Sequence, residues 1–116
     1  MPFPKIVVGY KKKDGKSPFS DWLSKIDDNA ARKVQRGISN MRQGNFSNAE
    51  SVGQGVSEYK IHFGPGYRIY FGMDGENLVI LLGGGTKKRQ GRDIEMAKGL
   101  WREYKSRKKE GGIQWH

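Results

Sequence analysis

The sequence predicts an α+β fold, in which a helical hairpin and a C-terminal helix pack on a small antiparallel sheet. Apolar residues recur at helical spacing in the N-terminal third of the chain and again near its C-terminus. Between these segments, apolar and polar residues alternate from Val56 to Phe71, which is typical of strands with one buried face. The chain has 116 residues, enough for one modest core, so we predict a single domain over residues 1–116.

The N-terminal part is predicted to contain one strand and two helices. Ile6–Tyr10 is a short β-type run and should form an edge or first strand. Ser17-Pro18 supplies an N-cap and a first helical residue, Asp27-Asp28 should begin a second helix, and Gly44-Asn45 should end it. The helical stripes predicted to lie in the core are Phe19, Trp22, Leu23 and Ile26, then Ala30, Ala31, Val34, Ile38 and Met41.

The rest of the chain is predicted to form a three-strand meander and a last helix. Residues 45–55 are rich in Ser, Asn and Gly and are expected to be a loop. Gly64-Pro65-Gly66 and Asp74-Gly75 should turn the chain between strands. Leu78–Leu82 is apolar on both faces, as a central strand should be, and Gly83-Gly84-Gly85 should end it. The last helix should bury Ile94, Ala97, Leu100, Trp101 and Tyr104, and the tail 110–116 is expected to be flexible.

The charge of the chain favours a polyanionic partner. The net charge is +10, and residues 87–109 carry ten Lys or Arg against three Asp or Glu, so +7 of it lies near the C-terminus. Such a balance favours nucleic acid over a membrane surface. A solvated helix face is the alternative explanation of this run.

Composition excludes several classes of site and location. The chain has no cysteine, so disulfides and thiolate zinc sites are excluded, and two histidines are too few for a histidine-rich metal site. We therefore expect no metal and no cofactor. The longest aliphatic run, Leu78–Leu82, is too short to span a bilayer, and the N-terminus lacks a signal-peptide pattern. These features predict a cytoplasmic protein with no membrane partner.

The strand alternation selects the candidate site residues. With Tyr59, Ile61 and Phe63 on the core side, the other face should carry Lys60, His62, Arg68 and Tyr70, open to solvent. An imidazole among cations suits metal-free RNA cleavage, which needs proton transfer and stabilisation of a developing phosphorane charge. His62 could serve as base or acid, with Arg68 and Lys60 holding the phosphate. These four side chains could equally be ordinary surface residues of a hairpin.

Two segments resemble a known family. GVSEYKIHFGPGYRIYF, residues 55–71, and LVILLGGGTKKRQGRDIEMA, residues 78–97, resemble the HigB-like addiction-module killer proteins of the RelE/ParE toxin superfamily. The resemblance covers roughly residues 10–105. It implies a toxin of a type II toxin–antitoxin module, most simply a metal-independent endoribonuclease acting on mRNA in the ribosomal A site. It also implies a cognate antitoxin, of the helix-turn-helix type, as partner.

The resemblance carries roles onto particular residues. Lys60, His62 and Arg68 match the basic strand residues and the arginine after the Gly-Tyr turn. A further basic residue after the last strand matches Lys87, Lys88 or Arg89, and Tyr70 is assigned with these to RNA or phosphate binding. Asp93 resembles an acidic residue of HigB toxins and is assigned to the same RNA- or phosphate-binding group. Ile94 stands near the position where several relatives carry a base-stacking tyrosine. That departure keeps two alternatives open: a non-enzymatic, ParE-type DNA gyrase poison, and a basic nucleic-acid-binding domain without catalysis.

Overall fold

Strands and helices follow one another in the order strand, two helices, four strands and one helix. The computed structural model describes residues 4–111. The elements are β1 Ile6–Gly9, α1 Pro18–Lys25, α2 Asp28–Arg42, β2 Ala49–Gly53, β3 Val56–Ile61, β4 Tyr67–Asp74, β5 Leu78–Thr86 and α3 Gln90–Lys109, with a 3-10 turn at Lys87–Arg89 before α3. The predicted α+β fold class is therefore confirmed.

The five strands form one sheet in the order β1-β5-β4-β3-β2. The four strands from β2 to β5 are antiparallel to their neighbours, whereas β1 lies parallel to β5 at the edge. The parallel connection is possible because α1 and α2 carry the chain back along the sheet between β1 and the later strands. The sheet is thus mostly antiparallel, and β1 is an edge strand as predicted.

The loop predicted over residues 45–55 was wrong, because the chain forms β2 there and pairs it with β3. The two strands are joined through Gln54 and Gly55, which both have positive φ, at 56° and 83°. Positive φ at both central residues is the geometry of a tight hairpin turn that matches strand twist. The strand escaped prediction because β2 is mostly exposed and is held by backbone pairing, so it needs little apolar alternation.

The sheet separates two apolar clusters. One cluster packs α1 and α2 against one face, and the other packs α3 against the opposite face. Successive residues of a strand therefore face the α1 and α2 layer and the α3 layer in turn. β5 is apolar on both faces because both of its faces are covered by helices. Most helical residues predicted for the core are buried, namely Phe19, Ala30, Val34, Ile38, Met41, Ala97, Trp101 and Tyr104. Trp22, Leu23, Ile26, Ile94 and Leu100 are partly buried against the clusters, whereas Ala31 belongs to neither.

The Gly83-Gly84-Gly85 run does not end the last strand, contrary to prediction, since β5 continues to Thr86. A bulge between the Tyr70–Gly83 and Phe71–Leu81 pairings sets which glycine faces which helix layer. A Cβ on Gly84 would overlap the ring of Trp22, and one on Gly85 would overlap the carboxylate of Asp93. These two glycines are therefore required by close packing on an intact strand.

Two further features concern the ends and surface of the fold. Residues 112–116 of the tail predicted to be flexible lie outside the described residues, and α3 ends at Lys109 with Glu110 as its C-cap. Between residues 4 and 111, no helix combines the length and the hydropathy that crossing a membrane requires.

Replacing Asp27 by alanine should lower the free energy of unfolding by about 1 kcal/mol. The Asp27 carboxylate caps α2 by accepting hydrogen bonds from the backbone N–H groups of Asn29 at 2.9 Å and Ala30 at 3.1 Å. Urea unfolding measures the change. The matched control is Asp28→Ala, which removes the same charge one residue later. Equal losses in both variants would attribute the stability to charge near the helix N-terminus instead of the cap.

Candidate functional site

The β3–β4 hairpin brings several of the predicted site residues onto one face. Lys60 pairs with Arg68 across the strands, and Glu58 pairs with Tyr70. Directly opposed residues project their side chains to the same side of a sheet, within contact distance. The strand alternation therefore placed Lys60, Arg68 and Tyr70 together correctly.

The expectation that this face is open to solvent was wrong. Tyr70 is 1% exposed and Arg68 is 9% exposed. The cause is α3, because its residues Ala97 and Trp101 pack on the same face of the sheet and the helix covers most of that face. A two-residue alternation indicates two faces of a strand, but both faces of this sheet carry helices.

His62 does not share this environment. β3 ends at Ile61, so the alternation that placed His62 beside Arg68 no longer applies. The imidazole is exposed, and its residue lines a shallow depression of about 230 Å³ together with Lys60 and with Lys33 and Arg36 of α2. His62 is therefore at the end of the hairpin, on the side of α2, with Lys60 as the link to the other site residues.

A carboxylate that the sequence analysis left out lies at the centre of the site. Glu58 is 3% exposed and accepts a hydrogen bond from Gln90 Nε2 at 2.8 Å. Its oxygens lie 3.7 Å from Arg68 Nε and 3.9 Å from Lys60 Nζ. We call Glu58, Lys60, Arg68, Tyr70 and Gln90 the Arg68 cluster. The signal for Glu58 was present, because it shares the alternation of Lys60, two residues earlier on the same strand.

Arg68 keeps donors available for an anion. Its Nε atom is buried without a hydrogen bond, whereas its terminal nitrogens are absent from the buried unpartnered atoms and bond to no described residue. A guanidinium with free terminal donors suits bidentate contact to a phosphate or carboxylate. Gly66 of the turn lies beside this end of the side chain. The Nε end of the Arg68 guanidinium is thus buried beside Glu58, while its terminal nitrogens have no partner among the described residues.

Lys60 is engaged with a second carboxylate. Its Nζ atom donates to Glu50 of β2 at 2.7 Å. This hydrogen bond raises the pKa of Lys60 and lowers the pKa of the exposed Glu50 carboxyl. A phosphate that binds Lys60 must therefore compete with Glu50.

Tyr70 presents an unusual buried hydroxyl. The Oη atom is buried without a hydrogen-bond partner among the described residues. Burial, followed by the nearby charges of Glu58 and Asp93, raises the pKa of Tyr70. The group therefore stays protonated and retains a proton that it can donate.

Asp93 joins the same region from the first turn of α3. Its carboxylate lies against the backbone of Gly85, which pairs with Arg68. Burial raises the pKa of Asp93, and the charges of Arg89 and Arg92 oppose this shift. Asp93 therefore lies beside the Arg68 cluster, a position that the sequence analysis did not predict.

The basic run before α3 borders the hairpin turn. Lys87, Lys88 and Arg89 are exposed in the 3-10 turn. The backbone N–H of Lys87 donates to the carbonyl of Gly66 at 2.9 Å, which fixes the run next to the turn. The run therefore lies next to the end of the Arg68 side chain, which also approaches Gly66. Ile94, beside Asp93, is a half-buried apolar residue of the α3 layer.

The arrangement can bind an oxyanion and move protons. Cations on two strands and a basic run converge near a carboxylate and a phenol hydroxyl, a combination suited to phosphate chemistry. Within residues 4–111, no three His, Asp or Glu side chains converge as a metal site would require.

Comparison with known proteins identifies a relative. No protein-family model matches the sequence. The chain is 42% identical over 86 residues to an uncharacterized protein of Haemophilus influenzae, and the aligned segment spans 73% of this chain and 87% of that protein. Similarity of this extent covers most of both chains.

Proposed function

This chain belongs to one family with the Haemophilus influenzae protein, and we propose that it is a toxin of a type II toxin–antitoxin module that cleaves mRNA on the ribosome without a metal ion. The observation that carries the proposal is the cross-strand pairing of Lys60 with Arg68 beside the carboxylate of Glu58. The type of reaction, cleavage of mRNA, is inferred from the resemblance of residues 55–71 and 78–97 to HigB-like toxins.

Phosphate binding is assigned to the cations. The free terminal donors of Arg68 take two phosphate oxygens, and Lys60 adds a point charge. Lys87, Lys88 and Arg89 hold flanking phosphates of the same strand, because they border the turn. Charge that develops on the phosphorane is stabilised by donors already in place, so little reorganisation is needed.

Proton transfer is assigned to Glu58 of β3 and to His62, which follows the end of that strand. Glu58 lies beside Arg68 and takes the proton of the attacking 2′-hydroxyl. His62 lies beside Lys60 and protonates the leaving 5′-oxygen. Attack and departure are roughly in line, so an acceptor and a donor on opposite sides of the phosphate meet the requirement.

The partners follow from the same surface. We propose that a cognate antitoxin of the helix-turn-helix type neutralises the protein through an acidic or amphipathic segment over the cationic residues. Electrostatic complementarity would speed that association and make it salt-sensitive. A protein that acts on ribosomes and is neutralised by this antitoxin would act in the cytoplasm, so we propose that location.

Burial of the Arg68 cluster favours a second candidate. The side chains of Glu58 and Arg68 are 4% and 11% exposed, so they could serve only to stabilise the hairpin under α3. Ile94 also leaves the base-stacking position without an aromatic ring. The protein would then act by binding, as a DNA gyrase poison or as a basic nucleic-acid-binding domain.

Toeprinting of mRNA on programmed ribosomes tests the proposal. Purified protein should produce new mRNA ends at the A-site codon when ribosomes are present, and added antitoxin should suppress them. A parallel assay with gyrase and supercoiled plasmid provides the comparison. Intact mRNA together with gyrase-dependent DNA breaks would replace the nuclease by the gyrase poison.

A further inference from the structure

A groove lies at the free end of strand β5 and shares Arg89 with the phosphate-binding residues proposed above. β1 pairs with β5 only as far as Leu81, so the outer edge of β5 beyond that residue has no strand partner among the described residues. α1 flanks this edge on one side and α3 on the other. The enclosed space, which we call the edge groove, has a volume of about 370 Å³.

The edge groove has an aromatic and apolar lining. Trp22 of α1 is half-buried and stands over Gly84, where the absence of a Cβ lets the indole approach the strand. Leu82 and Leu100 line the groove, and Met96 at its rim is 57% exposed. A flat ring can therefore reach the indole from solvent.

Polar groups converge on the same groove. The buried, unpartnered hydroxyl of Tyr70 belongs to a residue of the lining. Asp93 and Arg89 line it from the start of α3, and the exposed Lys87-Lys88 run precedes them. A mostly apolar pocket with a few convergent polar groups is the usual form of a small-molecule or base site.

We propose that the edge groove binds one nucleobase of single-stranded RNA, with the base stacked on Trp22. This inference rests on the proposed function, whose phosphate site it extends to the base. The Tyr70 hydroxyl donates to an acceptor on the base edge, Asp93 accepts from an exocyclic amine, and Arg89 contacts the adjoining phosphate. Stacking on an aromatic side chain accepts any base, while the two polar groups discriminate between base edges.

The charge of the region favours nucleic acid over a peptide as the occupant. The exposed cations Lys87, Lys88 and Arg89 precede α3 at the groove and attract a phosphate backbone, while Lys25 and Arg89 of the lining are balanced by Asp21 and Asp93. An acidic peptide would share that attraction, but its Asp and Glu side chains have no aromatic ring that could stack on Trp22. Dependence of binding on the base itself therefore distinguishes the two occupants.

The test compares two uncleavable RNAs. A fluorescent 2′-O-methyl hexanucleotide and its abasic counterpart share the same backbone charge, and anisotropy titration gives both affinities. Wild type should bind the base-containing RNA roughly five- to a hundredfold more tightly. Trp22→Leu should reduce this ratio towards one, whereas Trp22→Phe, which keeps an aromatic ring, should retain most of it. Tyr70→Phe should keep the stacking but change the preference among bases.

A measurement on the wild type covers the case in which Trp22→Leu fails to fold. The indole N–H resonance of Trp22 should shift when the base-containing RNA is added and should stay in place with the abasic RNA. Equal affinity for the two RNAs, or a Trp22 resonance that neither RNA moves, would overturn the inference.

The outcomes separate this inference from the proposed function. Ribosome-dependent cleavage with no contribution of Trp22 to base binding rejects the base site and leaves the nuclease intact. Base binding that depends on Trp22, in a protein that leaves mRNA uncut, supports the site and rejects the nuclease.

Discussion

Arg68→Ala should lower ribosome-dependent mRNA cleavage on the order of a hundredfold or more. The side chain supplies donors that are in place before the reaction, and removal of one such electrostatic donor typically costs this much in rate. Its terminal nitrogens bond to no described residue, so the loss falls on the phosphate they would bind. Single-turnover cleavage on programmed ribosomes measures the effect, and growth inhibition on expression should be relieved in parallel.

Two controls make the Arg68 result specific. Arg102→Ala removes the same charge from an exposed residue of α3 whose side chain donates to Gln54 and to no other described residue, so it should leave cleavage nearly unchanged. Arg68→Lys keeps the charge but loses the bidentate contact that a guanidinium makes. Its cleavage rate should therefore fall between those of wild type and Arg68→Ala. Thermal unfolding of each variant shows whether the protein still folds when Glu58 has lost Arg68 and keeps only Lys60 and Gln90 as neighbours. Full cleavage by a folded Arg68→Ala would remove Arg68 from the reaction.

Gly84→Ala should lower the free energy of unfolding by about 1–3 kcal/mol. A Cβ at this position would overlap carbons of the Trp22 ring, so either the indole or strand β5 must move. The core of the α1 layer and the edge groove both depend on this close approach. Urea or thermal unfolding measures the change.

The neighbouring glycine is the matched control. A Cβ at Gly83 would meet no atom within 4 Å, and its φ is not positive, so Gly83→Ala should be close to neutral. The two variants add the same methyl group to adjacent residues of one strand. A similar loss from both would mean that glycine flexibility, and not the contact with Trp22, governs stability at this end of β5.

Much of the fold follows from local patterns in the chain. The Ser17-Pro18 start of α1 and the Asp27 cap of α2 were readable because the capping groups are adjacent in sequence to the N–H groups they satisfy. The alternation of β3 and β4 was readable because one face of each strand packs in an apolar cluster. The same alternation brought Lys60, Arg68 and Tyr70 together, since cross-strand neighbours are set by the turn between the strands.

Other features depend on contacts between distant parts of the chain. β2 exists because β3 offers it a backbone edge, and the glycines of β5 are explained only by Trp22 and Asp93 lying on them. The sequence could not show that α3 covers the face of Arg68, because a solvent-facing and a helix-covered strand face can both carry polar residues.

For the candidate site, the sequence by itself determined which cations share a strand face, and the tertiary structure decided their surroundings. The docking of α3 buries Arg68 and Tyr70 and brings Gln90 onto Glu58. The end of β3 at Ile61 separates His62 from them. Local periodicity determines the direction of a side chain relative to its strand, whereas its burial and partners are determined by whichever distant element packs on that face.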